Sequence, residues 1–261
     1  MSPRRILIKI GGRAFAGQEG FDQLAQGIRD HSQVAVIIVH GGGAEISQAL
    51  KAAQRPTQFI DGIRVTQAED IRIVDQVLSE TVNARIAGWL EAEGVSCRRL
   101  AGKSRNLLLV TPLAKKGHDF GYVGQVAEVH PQVVEEALAE QRVPVISPIS
   151  ADSRGALFNV NADSAAAALA AGLHCTDLVF ITDVPGVQVD GQTCVRLEIS
   201  QTQKLIESEI IQGGMVAKIQ AGQDALEKGV PRVHILAWQG VQTFRQIVAG
   251  GRTGGTVLVC K

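Results

Sequence analysis

A chain of 261 residues carrying 26 Lys+Arg against 26 Asp+Glu is long enough to bury one large or two smaller cores, and its charge balance gives no basic field for nucleic acid or an anionic membrane. The four cysteines, Cys97, Cys175, Cys194 and Cys260, stand far apart with no CxxC pair, which indicates neither a zinc site nor a disulfide framework and fits the reduced thiols of a cytoplasmic protein. The apolar stretch after Met1-Ser2-Pro3-Arg4-Arg5 is broken by Lys9 and two glycines, so it is too short for a signal sequence or a membrane span.

Residues 6–10, ILIKI, form the first buried strand, interrupted by a charge at Lys9. An unpaired buried ammonium is costly, so Lys9 needs a partner unless the strand is an edge open to water. Gly11-Gly12 directly after it favours close approach by a ligand. The next strand, 34–39, runs into His40-Gly41-Gly42-Gly43 and a helix over 43–53. A strand, a glycine loop and a helix start present backbone N–H groups and the positive end of the helix dipole to an anion. Three glycines exceed what one tight turn requires, although the loop is neither GxGxxG nor GxxxxGKS. Asp61-Gly62 is a turn leading to Arg64, a residue type suited to clamping a carboxylate and equally common in surface ion pairs. Thr66-Gln67-Ala68-Glu69 has the form of a capping box ahead of a helix over 68–93.

The strand 107–111 opens a region, 107–149, whose Gly117, Gly121, Tyr122 and Gly124 predict an irregular hairpin insertion; a helix over 131–141 and a buried strand over 143–146 lie inside it. Asn159-Val160-Asn161-Ala162-Asp163 is a polar turn before a helix over 164–173. Asp163 fits an N-cap or first-turn carboxylate, and Asn159 and Asn161 fit plain turn residues. The strand 178–181 closes on Thr182-Asp183-Val184-Pro185-Gly186-Val187, a Pro-Gly turn at the kind of strand end where α/β sheets bind ligands. A helix over 202–207 follows, then Gln212-Gly213-Gly214-Met215, which opens a helix over 215–228 with Lys218 in its first turns. Taken alone, Lys218 is an ordinary exposed lysine. The last strand is 233–236.

Near-continuous apolar strands alternating with helices predict a three-layer α/β sandwich, a doubly wound and mostly parallel sheet covered on both faces. A seam at 172–177 divides the chain into 1–173 and 174–261. Two lysines and several exposed backbone N–H groups in glycine-rich contexts suit several negative charges, most simply a nucleoside triphosphate.

In order along the chain, KIGG (9–12), VHGGG (39–43), DGIRVT (61–66), VNARI (82–86), LAGKSRN (100–106), GYVGQV (121–126), PVISPIS (144–150), FNVNAD (158–163), ITDVPGV (181–187), GGMVAK (213–218) and GGTVL (254–258) resemble the amino acid kinase family. Within it they resemble the branch that phosphorylates N-acetyl-L-glutamate in arginine biosynthesis. The resemblance covers nearly the whole chain and lies in the ordered combination. It implies the carbamate-kinase-like fold, an N-terminal region that binds the acyl-amino acid and dimerises, and a C-terminal region that binds ATP. It implies transfer of the ATP γ-phosphoryl group to the side-chain carboxylate, with Mg²⁺ between the β- and γ-phosphates. By the same resemblance Lys9 stabilises the transferred group, Lys218 stands on the nucleotide side, and Asp163 orients both lysines. Gly12, Gly42 and Gly43 are backbone donors around the reacting groups; Arg64 and Asn159 clamp the α-carboxylate, with Asn161 in the same polar turn. Gly11, Thr182, Asp183, Val184, Gly186, Val187, Gln212, Gly213, Gly214 and Met215 line the nucleotide.

Two departures stand out: Arg13-Ala14-Phe15 where many relatives carry Asn-Ala-Met, and Arg105 where glycine is usual. Arginine-inhibited members carry an extra N-terminal helix ahead of the first strand, so a start close to 6–10 implies a homodimer without arginine feedback. Two other readings stay open: a sibling kinase acting on carrier-linked α-aminoadipate or another N-acylglutamate, and a catalytically idle nucleotide or metabolite sensor.

Overall fold

The computed structural model describes residues 4–11, 14–15, 17–115, 117–251 and 253–260. The chain opens with β1 (Arg5–Ile10), α1 (Gln18–Asp30), β2 (Ala35–His40) and α2 (Gly43–Ala52), followed by a short hairpin of β3 (Phe59–Ile60) and β4 (Ile63–Arg64). A continuous helical stretch then runs as α3 (Ile71–Asp75), a π-helical segment Gln76–Val82, and α4 (Asn83–Ala92). It leads through β5 (Cys97–Ala101), β6 (Leu108–Pro112), β7 (Val123–Val129), α5 (Gln132–Ala139), β8 (Val143–Ser147), β9 (Ile149–Ala151), β10 (Leu157–Val160) and α6 (Ala162–Gly172). The last part holds β11 (Asp177–Thr182), β12 (Gln188–Val189), β13 (Gln192–Thr193), β14 (Arg196–Glu198), α7 (Ile199–Glu207), α8 (Gly214–Glu227), β15 (Arg232–Ala237), α9 (Val241–Ala249) and β16 (Thr256–Val259).

Eight strands make the central sheet in the order β14-β16-β15-β11-β1-β2-β8-β5, parallel throughout except where β15 meets β16. Side chains alternate along a strand, and this sorts β1 between two cores. Ile6, Ile8 and Ile10 pack with Phe21 and Leu24 of α1, Ile86 and Leu90 of α4, and Phe244 of α9. Leu7 faces the opposite layer, with Val134 of α5, Ala165 and Leu169 of α6, and Ile219 of α8. Lys9 shares the parity of Leu7, so its side chain leaves β1 on the face covered by α6 and α8. The alanine run of α6 keeps that helix thin where it lies against β1. β1 itself sits where the winding reverses, with β2 on one side and β11 on the other, which is the switch point at which doubly wound sheets form their ligand crevice.

Three sequence expectations need correction. The strand predicted at 107–111 is β6, and it joins β7, β9 and β10 in a small closed barrel instead of the central sheet. The predicted insertion over 107–149 is interrupted, because α5 and β8 return to the main sandwich between its two parts; β8 carries a fully buried apolar face and pairs with both β2 and β5. The capping box at 66–69 does not form. Thr66 is buried and its carbonyl accepts the Tyr122 N–H at 2.7 Å, while α3 starts only at Ile71.

Candidate active site

At the C-terminal ends of β1 and β11, three charged groups from three elements meet. Lys9 Nζ lies 2.8 Å from Asp163 Oδ1, and Lys218 Nζ donates to Asp163 Oδ2 at 3.2 Å. Lys9 and Asp163 are 6% and 5% exposed, so water contributes little to solvating them. One carboxylate between two ammonium groups leaves a net charge of about +1 in a low-dielectric setting. Burial pushes the Lys9 pKa down; Asp163 pulls it back up and the neighbouring Lys218 lowers it again, with a net lowering. Burial would raise the Asp163 pKa, but Lys9 and then Lys218 outweigh it and hold the carboxyl below its ordinary value.

Local structure explains how Asp163 reaches this position. Asn161 is the N-cap of α6: its Oδ1 accepts from Asp163 N at 2.8 Å and Ser164 N at 3.2 Å. The cap is therefore made by Asn161, and Asp163 is the first-turn carboxylate that its sequence position also allows, left to bind the lysines. This also amends the expectation for Asn161, whose side-chain oxygen is engaged by the helix start. Lys218 stands one turn into α8, which begins at Gly214 after Gly213 at φ +56, a conformation glycine adopts without strain. Lys218 is half-buried and not the ordinary exposed lysine that its local sequence suggests.

The glycine turns lie beside this cluster. Gly11 N donates to Ile181 O at 3.2 Å, and a Cβ at Gly11 would stand 3.9 Å from Lys9 Nζ. Gly12 and Arg13 lie outside the described residues. Gly42 is packed so closely that a Cβ there would meet Leu78 Cδ2 at 2.6 Å, whereas Gly43 has open space. Gly43 begins α2, whose first-turn N–H groups have no intrahelical acceptor. Buried Arg64 reaches the same turn, donating to Gly43 O at 2.9 Å and Ser47 Oγ at 2.8 Å. Asn159 Nδ2 donates to Thr66 Oγ1 at 3.2 Å, and Thr66 Oγ1 donates to Arg64 O at 3.4 Å. Arg64 and Asn159 thus belong to one polar string ending at the α2 turn.

Buried Thr182 closes β11, and its hydroxyl donates to Asp183 Oδ1 at 3.3 Å. Val184 is exposed. Val187 N donates to Thr256 Oγ1 at 2.8 Å, and a Cβ at Gly186 would lie 2.7 Å from that oxygen. Gln212 donates to Glu209 O, and Met215 packs on the core under α8. A cavity of about 290 Å³ opens between the Gly11 and Gly41 turns. A larger one, about 660 Å³, lies beside Val34, Val95 and Val143 at the other end of the strands, away from the lysines. Arg105 sits at φ +50, a left-handed conformation that glycine adopts more easily, and its guanidinium turns outward to Glu136 at 2.6 and 2.8 Å.

Sequence reasoning missed His40 and Asn83. Both are buried; His40 Nδ1 lies 2.9 Å from Gly41 O and Nε2 lies 3.1 Å from Asn83 Nδ2. Burial pushes the His40 pKa down to about 4, so the ring is neutral, with Nδ1–H donating to Gly41 and Nε2 accepting from Asn83. Their signal was present, since both residues stand inside quoted motifs.

The sequence matches the profile of the amino acid kinase family over residues 4–237. The chain belongs to the amino acid kinase family. Acetylglutamate kinase of Geobacillus stearothermophilus is 40% identical over 246 residues, 93% of each chain. Among solved structures, a protein of Streptococcus mutans UA159 has a TM-score of 0.84 at 29% identity, covering 98% of this chain and 99% of that one. Carbamate kinase of Giardia has a TM-score of 0.71 at 13% identity, with full coverage of both chains, and shares the fold. Among the described residues, no helix of this family member is long and apolar enough to cross a membrane.

Proposed function

We propose that the protein transfers the γ-phosphoryl group of ATP to the side-chain carboxylate of N-acetyl-L-glutamate, forming N-acetyl-L-glutamyl 5-phosphate and ADP in arginine biosynthesis. The observation that carries this reading is Asp163 bridging two lysines, buried Lys9 at 2.8 Å and half-buried Lys218 at 3.2 Å. It is supported by 40% identity to an acetylglutamate kinase over 93% of both chains.

The chemistry needs little proton transfer. A carboxylate with a pKa of about 4 is already anionic at neutral pH, so no general base is required. Its oxygen forms a bond to the γ-phosphorus while the bond from that phosphorus to the β,γ-bridging oxygen breaks, and the electron pair leaves with ADP. The barrier comes from bringing two anions into line and from charge spreading over the transferred oxygens. Lys9 meets the transferred group and Lys218 the leaving oxygen, while Asp163 keeps both ammoniums aimed without taking a proton. Gly12, Gly42 and Gly43 offer N–H donors, and Arg64 and Asn159 hold the substrate's α-carboxylate near the α2 turn. When bound, Mg²⁺ would supply further charge neutralisation to the nucleotide and would be held mostly by the nucleotide and water. Residues 1–173 carry the acyl-amino acid and 174–261 the nucleotide, through Thr182–Val187 and Gln212–Met215. We assign the protein to the cytoplasm as a homodimer, which light scattering tests.

The decisive assay is ATP-dependent acyl-phosphate formation trapped as the hydroxamate, with N-acetyl-L-glutamate against N-succinyl-L-glutamate, L-glutamate and L-aspartate. Selective product from N-acetyl-L-glutamate is expected; ATP binding with no product from any of them would overturn the reading. Lys9→Ala and Lys218→Ala are expected to fold and to lose about 10²–10³-fold in kcat.

A further inference from the structure

The turn Gly41–Gly43 is held from behind by groups that the proposed reaction does not use. Helical stretch 71–92 supplies two of them from its π-helical segment and its continuation. Leu78 fills the space beside Gly42 so tightly that a Cβ there would come within 2.6 Å of it. Asn83, fully buried, sets its amide nitrogen 3.1 Å from His40 Nε2, 2.9 Å from Val145 O and 3.2 Å from Leu100 O. Its Oδ1 accepts from Arg99 Nε at 3.2 Å, so the amide cannot rotate without breaking contacts to β5 and β8. His40, on the last position of β2, passes that constraint on through its contact with Gly41 O at 2.9 Å.

A trans peptide is planar, with its C=O and N–H pointing in opposite directions. Fixing the Gly41 carbonyl therefore fixes the direction of the Gly42 N–H. Glycine has the widest backbone freedom of any residue, and a triple-glycine turn without an external hold would sample many orientations. A π-helical segment, which is rare and concentrated at functional sites, sets the phase at which Asn83 enters the network.

We propose that His40 and Asn83 are positioning residues for phosphoryl transfer: the Asn83 amide orients the His40 ring, and the ring locks the Gly41–Gly42 peptide so that the Gly42 N–H is aimed at the reacting phosphoryl oxygens. This rests on the assignment of Gly42 as a backbone donor. Neither side chain touches substrate in this scheme; both act through the peptide. Loss of the lock then appears in kcat, because a misdirected donor costs transition-state stabilisation while both ground-state sites stay intact.

The test compares full-length His40→Asn, His40→Gln and Asn83→Leu with wild type in the hydroxamate assay, alongside thermal melting. Asparagine places an amide N–H near the Nδ1 position and keeps the bond to Gly41 O; glutamine places its amide near Nε2 and loses it. The expected result is that His40→Asn stays within about tenfold of wild-type kcat, while His40→Gln and Asn83→Leu fall by about 100-fold with both KM values within about twofold. The His40 pair is read against each other at matched melting temperature, so a variant lost to misfolding does not decide the outcome. Equal kcat in the asparagine and glutamine variants, or losses confined to KM, would overturn the proposal. A wild type that gives no acyl phosphate would overturn the underlying reading instead.

Discussion

A lysine inside an apolar strand is the most legible residue of this chain. Lys9 announces a partner because its burial demands one, and the partner is Asp163. Lys218 could not be read this way, since a lysine on the first turns of a helix is unremarkable until the fold brings that helix start to a carboxylate 55 positions away. Asn161 and Asp163 illustrate a further limit: both are capping residue types, and only the geometry shows that Asn161 caps while Asp163 does not. The charges lead to a pH prediction. With the Lys9 pKa lowered, the alkaline loss of kcat is expected to begin below the ordinary lysine range. Asp163→Asn removes the group that raises it, so the limb moves to still lower pH; a pH–kcat profile that stays in place would contradict the ion-pair account. His40 adds a stability prediction. Its folded pKa of about 4 lies below the unfolded value of about 6.5, so its contribution is complete above pH 6.5 and is lost as the pH falls toward 4. The loss reaches about 3 kcal/mol, and denaturant titrations of wild type against His40→Asn between neutral pH and the acid limit measure it as the difference in slope.

Elements were legible where periodicity was strong. The apolar runs at 6–10, 34–39, 143–146, 178–181 and 233–236 all lie in central strands, because a sheet covered on both faces tolerates no polar alternation. Helices α1 and α9 escaped notice although Phe21, Leu24 and Ile28 on one and Phe244 and Ile247 on the other recur at helical spacing; their remaining positions are polar enough to pass for loop. The π-helical segment could not be anticipated, as one residue more per turn leaves no mark on composition. β16 likewise hides in the GGTVL motif, and its place in the sheet explains that motif. Thr256 is fully buried and its hydroxyl accepts the Val187 N–H, anchoring the turn proposed to bind nucleotide. Thr256→Val leaves that N–H without its acceptor and Gly186→Ala puts a methyl 2.7 Å from the same oxygen. Each is expected to raise KM for ATP by about tenfold, the equivalent of one lost hydrogen bond, with KM for N-acetyl-L-glutamate unchanged. Initial-rate kinetics with each substrate varied in turn separates the two.

Across the whole molecule, the sheet runs without a break from β14 to β5, and β11, at the end of the seam expected over 172–177, lies directly against β1. Asp177 at the start of β11 ties the two parts further: fully buried, it binds Arg4 at 3.0 Å, Arg232 at 2.8 Å and His234 at 3.2 Å. Asp177→Asn is expected to cost about 2 kcal/mol of unfolding free energy in a urea titration, because it weakens the charge-assisted hydrogen bonds to half-buried Arg4 and Arg232, and to leave kcat unchanged at room temperature. A second contrast sits between the surface and the centre. The chain is neutral overall, with 26 cationic and 26 anionic side chains, while two lysines share one aspartate at the switch point of the sheet. A neutral exterior casts no long-range net, so the rate of ATP capture should change little as KCl is raised. The unmatched cationic charge inside would still welcome a compact multivalent oxyanion. Sulfate and inorganic phosphate should therefore compete with ATP at ionic strengths where chloride does nothing, and the choice of buffer becomes part of any rate measured on this protein.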